Sequence, residues 1–256
     1  MTRKERAERI QEFLVREYPA PRCALNHKSA FQLLCATILS AQCTDERVNR
    51  VTPALFKRFP TPGALAEADP GDVTGIIRST GFFNNKTKSL IGAAFRIVED
   101  FGGTVPETMD ALLTLPGVAR KTANVVLGTW FGKNVGVVVD THVTRLSRRM
   151  GLTRNTAPEK IERDLMAVFP REEWTNLSHR LIHHGRGVCA ARLPRCADCA
   201  VGTLCPSYDP DPESWRTGRT GKGPAKRSVR GEGGRTLAGR TAVKEAPARK
   251  RNRRKA

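Results

Sequence analysis

The sequence of 256 residues predicts an all-α protein, and three observations support that prediction. Apolar residues recur at helical spacing in successive stretches between residues 4 and 184. Strand signals are almost absent, with VGVVV at 135–139 as the only short candidate. Turn residues, above all Pro116 and Gly117, separate one helical stretch from the next. The chain is long enough for one large or two small helical domains with a substantial core.

The N-terminal half is predicted to form helices that each bury one apolar face. Ser29 is placed to begin the second of them, and Thr44 or Asp45 to cap the third. The loop GFFNNK at 81–86 precedes the fourth, and Pro106 lies near the start of the fifth, where proline is common. The predicted stretches are 4–17, 29–39, 45–59, 88–101 and 106–113.

The most informative stretch is LPGVARKTANVV, which runs from Leu115 to Val126. It reads as a tight proline–glycine hairpin followed by a helix from about Ala119 to Leu127. The first backbone N–H groups of that helix lack intrahelical partners and lie at the positive end of its dipole, so a DNA phosphate could bind there. The alternative is a plain corner between helices whose apolar residues only form core, and this stretch alone favours neither interpretation.

Lys121 lies in the first turn of this helix, next to Arg120. The helix dipole and the neighbouring charge both disfavour a cation there, and a neutral amine would be a nucleophile. One interpretation is therefore a nucleophilic lysine, and the other is a second phosphate contact. A carboxylate able to accept the proton would favour the nucleophile.

Asp140 is the candidate carboxylate. It follows the apolar run at 135–139 and precedes a helical stretch that continues through Leu146 to Met150. The residue pattern alone favours a helix N-cap. The two roles are compatible, because an N-cap aspartate is held rigidly and can still face a cleft.

Two further helices are predicted after Asp140. Thr156 and Glu159 have the spacing of a capping box, which would open the helix that carries Ile161. The next helix, near 174–184, places His179 and His183 at i, i+4. No glutamate completes a metalloprotease motif there, so both histidines are predicted to be structural.

Four of the seven cysteines form a C-x6-C-x2-C-x5-C pattern near the end of the helical region. Four thiolates within 17 residues could hold zinc or an iron–sulfur cluster. Zinc ribbons usually present two short cysteine pairs and this loop has one, so the spacing favours iron. The intervening AARLPR offers two arginines to a DNA backbone, although they could equally belong to a solvated loop. The cysteines are Cys189, Cys196, Cys199 and Cys205, and the arginines are Arg192 and Arg195.

The formal net charge is +19, and residues 216–256 carry +13 of it with 15 Lys/Arg against Glu232 and Glu245. Such a balance indicates a polyanionic partner, either nucleic acid or an anionic membrane surface. The sequence lacks both a run of about 20 apolar residues and a signal-peptide core, so we expect no membrane insertion and a cytoplasmic, nucleoid-associated protein. The tail is predicted to be disordered and to tether DNA; a chaperone-binding or solubilising role is the alternative.

The sequence LPGVARKTANVVLGTWFG, the later VDTHVTR and the four spaced cysteines closely resemble the endonuclease III family, bifunctional DNA glycosylases of the helix–hairpin–helix superfamily. The likeness extends from residue 1 to about 208. It implies two helical lobes and a [4Fe–4S] cluster on the four cysteines, with Lys121 as the Schiff-base lysine and Asp140 as the catalytic aspartate. The implied divisions are an N-terminal helix at 1–22, a six-helix barrel lobe with the hairpin at 23–134, a cluster lobe at 135–212 and the basic tail at 213–256.

The resemblance also implies DNA contacts at the hairpin and at two loops. Gln42 matches the residue that enters the gap left by a flipped nucleotide, although an amide at a helix corner often only bonds the backbone. Phe82 matches an apolar wedge, for which a hydrophobic staple is the alternative. Gly117, Ala119 and Arg120 occupy the hairpin positions. The family usually has glycine where this chain has Ala119, and alanine would be unfavourable if that position required a positive φ or a close phosphate approach.

By resemblance, we expect a monomeric base excision repair enzyme that acts on duplex DNA containing a damaged base or an abasic site. It would flip out and excise oxidised pyrimidines through a lysine Schiff base and cleave the abasic site by β-elimination. Two alternatives remain open at this point. One is a mismatch adenine glycosylase, which would usually lack lysine at position 121. The other is a non-catalytic Fe–S DNA-binding regulator.

Overall fold

The computed structural model describes residues 1–217, which form twelve α-helices and no β-strand. The all-α prediction is confirmed. The first helices are α1 (Arg3–Glu17), α2 (Ala30–Leu39), α3 (Asp45–Arg58), α4 (Pro62–Ala66), α5 (Pro70–Ile77) and α6 (Phe83–Phe101). They are followed by α7 (Met109–Leu113), α8 (Arg120–Thr129), α9 (Thr141–Arg149), α10 (Pro158–Met166), α11 (Trp174–Gly187) and α12 (Pro212–Arg216).

Helices α2 to α8 surround a first hydrophobic core. Its members lie between Leu25 and Leu127, and α2 runs through its middle with eight of its ten residues buried. This burial explains why the α2 sequence AFQLLCATIL is apolar on nearly all sides rather than along one stripe. We call this part of the protein the hairpin half.

A second hydrophobic core joins the chain's N-terminal helix to its later helices. Ile10 and Leu14 of α1 pack with apolar residues of α9, α10 and α11. Val137 and Val139 join this core from a segment that is neither helix nor strand. The loop that carries the four spaced cysteines is attached to the same core through Val201, which is 2% exposed. We call this part the cysteine half.

Helix starts follow side-chain caps more closely than apolar periodicity does. Thr108 accepts a hydrogen bond from the Ala111 N–H, so α7 begins at Met109 and not at Pro106. A capping box forms at Thr2, whose side chain and that of Glu5 bond each other's backbone N–H groups. The capping box predicted at Thr156 is wrong, because α10 begins at Pro158 with Ala157 as an N-cap that makes no side-chain bond.

The predicted start of the basic tail at residue 213 also needs correction. Residues Pro212–Arg216 form α12, and the Trp215 indole donates a hydrogen bond to the Asp209 carbonyl. The rest of the predicted tail lies outside the described residues. Within residues 1–217, each helix is too short or too polar to span a lipid bilayer.

Candidate active site and DNA interface

The hairpin between α7 and α8 depends on a glycine that has no room for a side chain. Gly117 has φ +76°, and a Cβ atom there would lie 2.5 Å from the Ser89 Cβ of α6. Leu115 and Val118, on either side of the turn, are buried in the first core. Ala119, by contrast, has φ −98° and ψ 171°, an extended conformation open to any residue. The backbone therefore needs no glycine at position 119.

Helix α8 begins without a capping side chain. Ala119 is its N-cap and makes no side-chain hydrogen bond, so no side chain caps the N–H groups of the first turn. These groups and the positive end of the helix dipole are available to an anion. The hairpin thus has the backbone features of the phosphate-binding interpretation.

Lys121 and Asp140 are brought together at the mouth of a cleft between the two halves, where both line the same two adjoining cavities. Lys121 is exposed, and its amine makes no hydrogen bond or ion pair with any described residue. Asp140 is the N-cap of α9, and its Oδ1 accepts a hydrogen bond of 2.8 Å from the Val143 N–H. The N-cap prediction is confirmed, and this bond orients a carboxylate that lines the same cleft as the lysine.

The outer of the two cavities is strongly basic. Arginines of α9 and of the loop that follows it line the cavity together with Lys121 and Asp140. These arginines were not among the residues predicted from the sequence, although three arginines within five residues of a helix directly after Asp140 were a usable signal. The lining arginines are Arg145, Arg148, Arg149 and Arg154.

The inner cavity extends between α2, α8 and α11. Its lining includes Gln42, His179 and His183, so both of the histidines predicted to be structural face the cleft. Burial, followed by the nearby His183, lowers the pKa of His179 to about 4. The imidazole is therefore neutral at physiological pH, and it can donate and accept hydrogen bonds to an uncharged ring without adding positive charge.

Arg120 lies beside the hairpin, but its guanidinium is engaged within the protein. Its Nε and Nη2 donate to the two carboxylate oxygens of Glu162 at 2.8 and 3.1 Å. Asn124, one turn further along α8, also donates to Glu162 at 2.9 Å. The predicted DNA contact of Arg120 stays a prediction, while its observed partner is a carboxylate of α10 in the other half.

Gln42 and Phe82 share an unusual backbone conformation. They are the two non-glycine residues with positive φ in the described chain, at +53° and +48° respectively. Both are exposed, and Phe82 retains 64% of its surface. A hydrophobic staple would be packed against its helix, so the exposure of Phe82 argues against that alternative.

The four cysteines of the spaced pattern line one apolar pocket in the cysteine half. The Arg149 Nη1 donates to the Cys189 Sγ at 3.3 Å, and the buried His184 lies 3.5 Å from the Cys199 Sγ through its Nε2. No three His, Cys, Asp or Glu side chains of residues 1–217 are close enough together for a single metal ion. The four thiols and the Arg149 guanidinium thus meet at one apolar pocket. The cysteines are Cys189, Cys196, Cys199 and Cys205.

The two loop arginines differ in their contacts. Arg195 is folded back on the end of α11, where its Nη2 donates to the Gly187 carbonyl at 2.6 Å. Arg192 is exposed and forms no hydrogen bond or ion pair with the described residues. Of the two, Arg192 is therefore better placed to reach an external phosphate.

Comparison with known proteins defines first the class and then the family. The model of the HhH-GPD superfamily of base excision DNA repair proteins matches residues 35–171, which span the hairpin, Lys121 and Asp140. The chain is 57% identical over 206 residues to endonuclease III of Synechocystis, covering 80% of this chain and 94% of that protein. It is 43% identical over 189 residues to endonuclease III of Bacillus subtilis, covering 73% and 86% respectively.

A solved structure gives the same result in three dimensions. A trapped covalent intermediate of endonuclease III with DNA superposes with a TM-score of 0.76 at 38% identity, covering 80% of this chain and 96% of that one. The chain belongs to the endonuclease III family of base excision DNA repair enzymes.

Proposed function

We propose that Lys121 and Asp140 excise damaged pyrimidines from duplex DNA and cleave the resulting abasic site. As a member of its family the protein is a DNA glycosylase with AP lyase activity. The observation that supports the assignment of residues is the position of an unpaired amine and an oriented carboxylate at the mouth of one cleft.

In the glycosylase step, a flipped nucleotide enters the cleft and the neutral Lys121 amine attacks the sugar C1′. Asp140 accepts the amine proton or stabilises the positive charge that develops on the sugar as the base departs. The bond from C1′ to the base breaks and its electron pair leaves with the base. The C1′–O4′ bond then opens as O4′ takes up a proton from Asp140 or water, which leaves a protonated imine between Lys121 and C1′.

The lyase step uses the same imine. Loss of a proton from C2′ forms a double bond, and the 3′ phosphate leaves with the electrons of its C–O bond. Hydrolysis of the imine then releases an unsaturated aldehyde and restores the lysine. The oxidised or ring-saturated pyrimidine preference follows the family, since we identify no residue that reads it.

DNA would be held by the backbone of the hairpin and by the basic outer cavity. Uncapped N–H groups of α8 would bind one phosphate near Gly117 and Ala119. The exposed Arg148 and Arg154 would bind the strand beside Lys121. Gln42 would fill the gap left by the flipped nucleotide, while Phe82 would enter the base stack. We infer a monomer that acts on the nucleoid in the cytoplasm, where its substrate lies.

We further propose that the four spaced cysteines hold a [4Fe–4S] cluster, as in the family. The donor set of four thiols around an apolar pocket supports this assignment. A bound cluster would cross-link the loop that presents Arg192 and Arg195. Glycosidic cleavage requires no electron transfer, so its role would be structural.

Borohydride trapping on a duplex bearing an oxidised pyrimidine tests this function. The native protein should form a covalent adduct that Lys121→Ala abolishes and that Asp140→Asn reduces by about 10²-fold or more. Lys160→Ala, which removes an exposed lysine of α10, is the matched control and should leave trapping intact. An adduct that persists in Lys121→Ala would place the nucleophile elsewhere.

The same assay separates the alternatives. DNA binding by the native protein with neither adduct nor cleavage would identify a non-catalytic regulator. Removal of adenine from a mismatch in preference to an oxidised pyrimidine would identify a mismatch adenine glycosylase. The presence of Lys121 disfavours both.

A further inference from the structure

The turn that presents Phe82 is held in an unfavourable conformation. A 3₁₀ turn at Arg78–Thr80 is followed by Gly81 at φ +71° and Phe82 at φ +48°, and α6 then begins. L-residues other than Asn and Asp rarely adopt positive φ, and a bulky aromatic side chain gains nothing locally from it. Surrounding contacts must therefore impose this conformation.

Lys86 supplies those contacts from the first turn of α6. Its Nζ donates to the Thr80 carbonyl at 2.9 Å, and its backbone N–H donates to the Phe82 carbonyl at 3.1 Å. The backbone bond is the ordinary first bond of the helix, so the contact that depends on lysine is the bond from its Nζ to the residue before Gly81. Thr80 is itself fixed, because it is 2% exposed and its hydroxyl donates to the Ile77 carbonyl at 2.8 Å.

A lysine is an unexpected residue at this position. Lys86 is 5% exposed, and burial lowers the pKa of its ammonium group. It also lies at the helix end where the dipole disfavours a cation. Its observed side-chain partner is a neutral carbonyl rather than a carboxylate. An apolar side chain would fill the same space without these penalties, so the function of the amine lies in its hydrogen bond to Thr80.

We propose that Lys86 is a positioning residue that holds Phe82 exposed and ready to enter the base stack. This inference rests on the proposed role of Phe82 as the wedge. Because the turn is fixed before DNA binds, Phe82 does not have to be ordered when the duplex is bent, and the free-energy cost of that ordering is avoided. Lys86 touches neither the nucleotide nor Lys121 in this proposal and acts only through the turn.

The test compares Lys86→Met, which keeps the length and removes the donor, with Phe82→Ala and with the double variant. Duplex opening is followed by the fluorescence of 2-aminopurine next to a ring-saturated pyrimidine, and excision by single-turnover cleavage. Borohydride trapping on a single-stranded abasic site reports Lys121 chemistry without any duplex to open. Lys88→Met removes an exposed lysine from the same helix and is the control.

Lys86→Met should slow duplex opening and excision by about tenfold and leave single-stranded trapping within about twofold of native. In the Phe82→Ala background it should have almost no further effect, since both changes remove the same wedge. Lys86→Gln, which retains a donor, should restore part of the rate. Lys88→Met should behave as the native protein.

The possible failures are distinguishable. The inference would be overturned if the rate reductions of the two single variants multiplied in the double variant. It would also be overturned if Lys86→Met lost as much activity on the single-stranded substrate as on the duplex. Either result would show that Lys86 supports the fold or the nucleophile. Impaired Phe82→Ala with normal Lys86→Met would overturn the inference alone. Normal duplex opening by Phe82→Ala would remove the wedge role and the inference with it. If neither Met nor Gln at position 86 gives a folded protein by circular dichroism, Lys86 is a core residue and the inference fails.

Discussion

The hairpin half and the cysteine half are held together by different interactions. In the hairpin half, α2 to α8 pack around 26 buried apolar residues. In the cysteine half the core has 16 such residues, and the loop that follows α11 contains only short 3₁₀ turns up to α12. The difference indicates that apolar packing alone stabilises the hairpin half, whereas the cysteine half needs additional interactions, which we call its links.

Arginines provide part of those links. Arg145 donates to the carbonyls of Gly185 and Cys189 at 3.0 and 3.1 Å, and Arg149 donates to those of Ala190 and Ala191 at 2.7 Å each. Hydrogen bonds from a charged donor are stronger than neutral ones, but they are fewer than the contacts of a packed core. Under the proposed function, a cluster on the four thiolates would supply the rest.

Loss of the cluster is expected to produce the largest difference in stability between the two halves. Cys199→Ser should remove the visible iron–sulfur absorbance and destabilise the cysteine half by more than about 3 kcal/mol, since metal binding is folding free energy in such loops. Hydrogen exchange should accelerate in α11 and the cysteine loop while the amides of α2 to α8 change little. Cys23→Ser, in the hairpin half, should retain the absorbance. Equal acceleration in both halves would contradict the comparison.

The ion pair that crosses between the halves gives the next largest effect. Glu162→Ala leaves Arg120 and Asn124 without their shared partner and should lower the free energy of unfolding by about 2 kcal/mol, since Asn124 is buried but the Arg120 charge stays in contact with solvent. Urea unfolding measures this directly, and two separate transitions would show that the halves have become uncoupled. Glu159→Ala, an exposed position of the same helix, should change stability by less than about 0.5 kcal/mol.

The sequence predicted the hairpin half better than the links to it. Helix α8 was predicted to begin within one residue of Arg120, because proline, glycine and the apolar pattern act locally. The role of Arg120 could not be read in the same way, since its observed partner lies 42 residues away in α10. The same limit applies to Lys86, whose burial depends on how α6 packs against the first core.

Motif spacing proved a weaker guide than the backbone around it. Thr2 and Glu5 share the T-x-x-E pattern with Thr156 and Glu159, yet only the first pair forms a capping box. Pro158 has a fixed φ suited to the first helical position, so α10 begins there and Thr156 lies too far away to cap it. The strained conformation of Phe82 had no sequence signal at all, because positive φ is ordinarily predicted from glycine.

Acid should weaken the contact between the halves through His179 of α11, whose Nε2 lies 3.4 Å from the Thr129 hydroxyl of α8. With its pKa at about 4 in the folded protein and about 6.5 when unfolded, only the unfolded chain binds a proton between these values. The free energy of unfolding should therefore fall as pH drops from about 6.5 to about 4, by about 1–2 kcal/mol after partial exposure is taken into account. Unfolding titrations of native protein and His179→Gln measure this. An identical slope in both would assign the acid sensitivity to other groups.

Trp215 tests whether the cysteine half extends beyond the core to α12. Its ring lies 4.5 Å from the Arg149 guanidinium, and it lines the cysteine pocket. Trp215→Ala removes a cation–π contact of about 1 kcal/mol from the arginine that donates to Cys189, and should speed cluster loss to a chelator about threefold. Trp130→Ala, a partly exposed tryptophan of the hairpin half, is the counterpart and should leave that rate unchanged. If Trp215→Ala left the rate of cluster loss unchanged, the interactions that stabilise the cysteine half would be limited to those of α9 and α11. A faster rate would extend them to α12, which the sequence had assigned to a disordered tail.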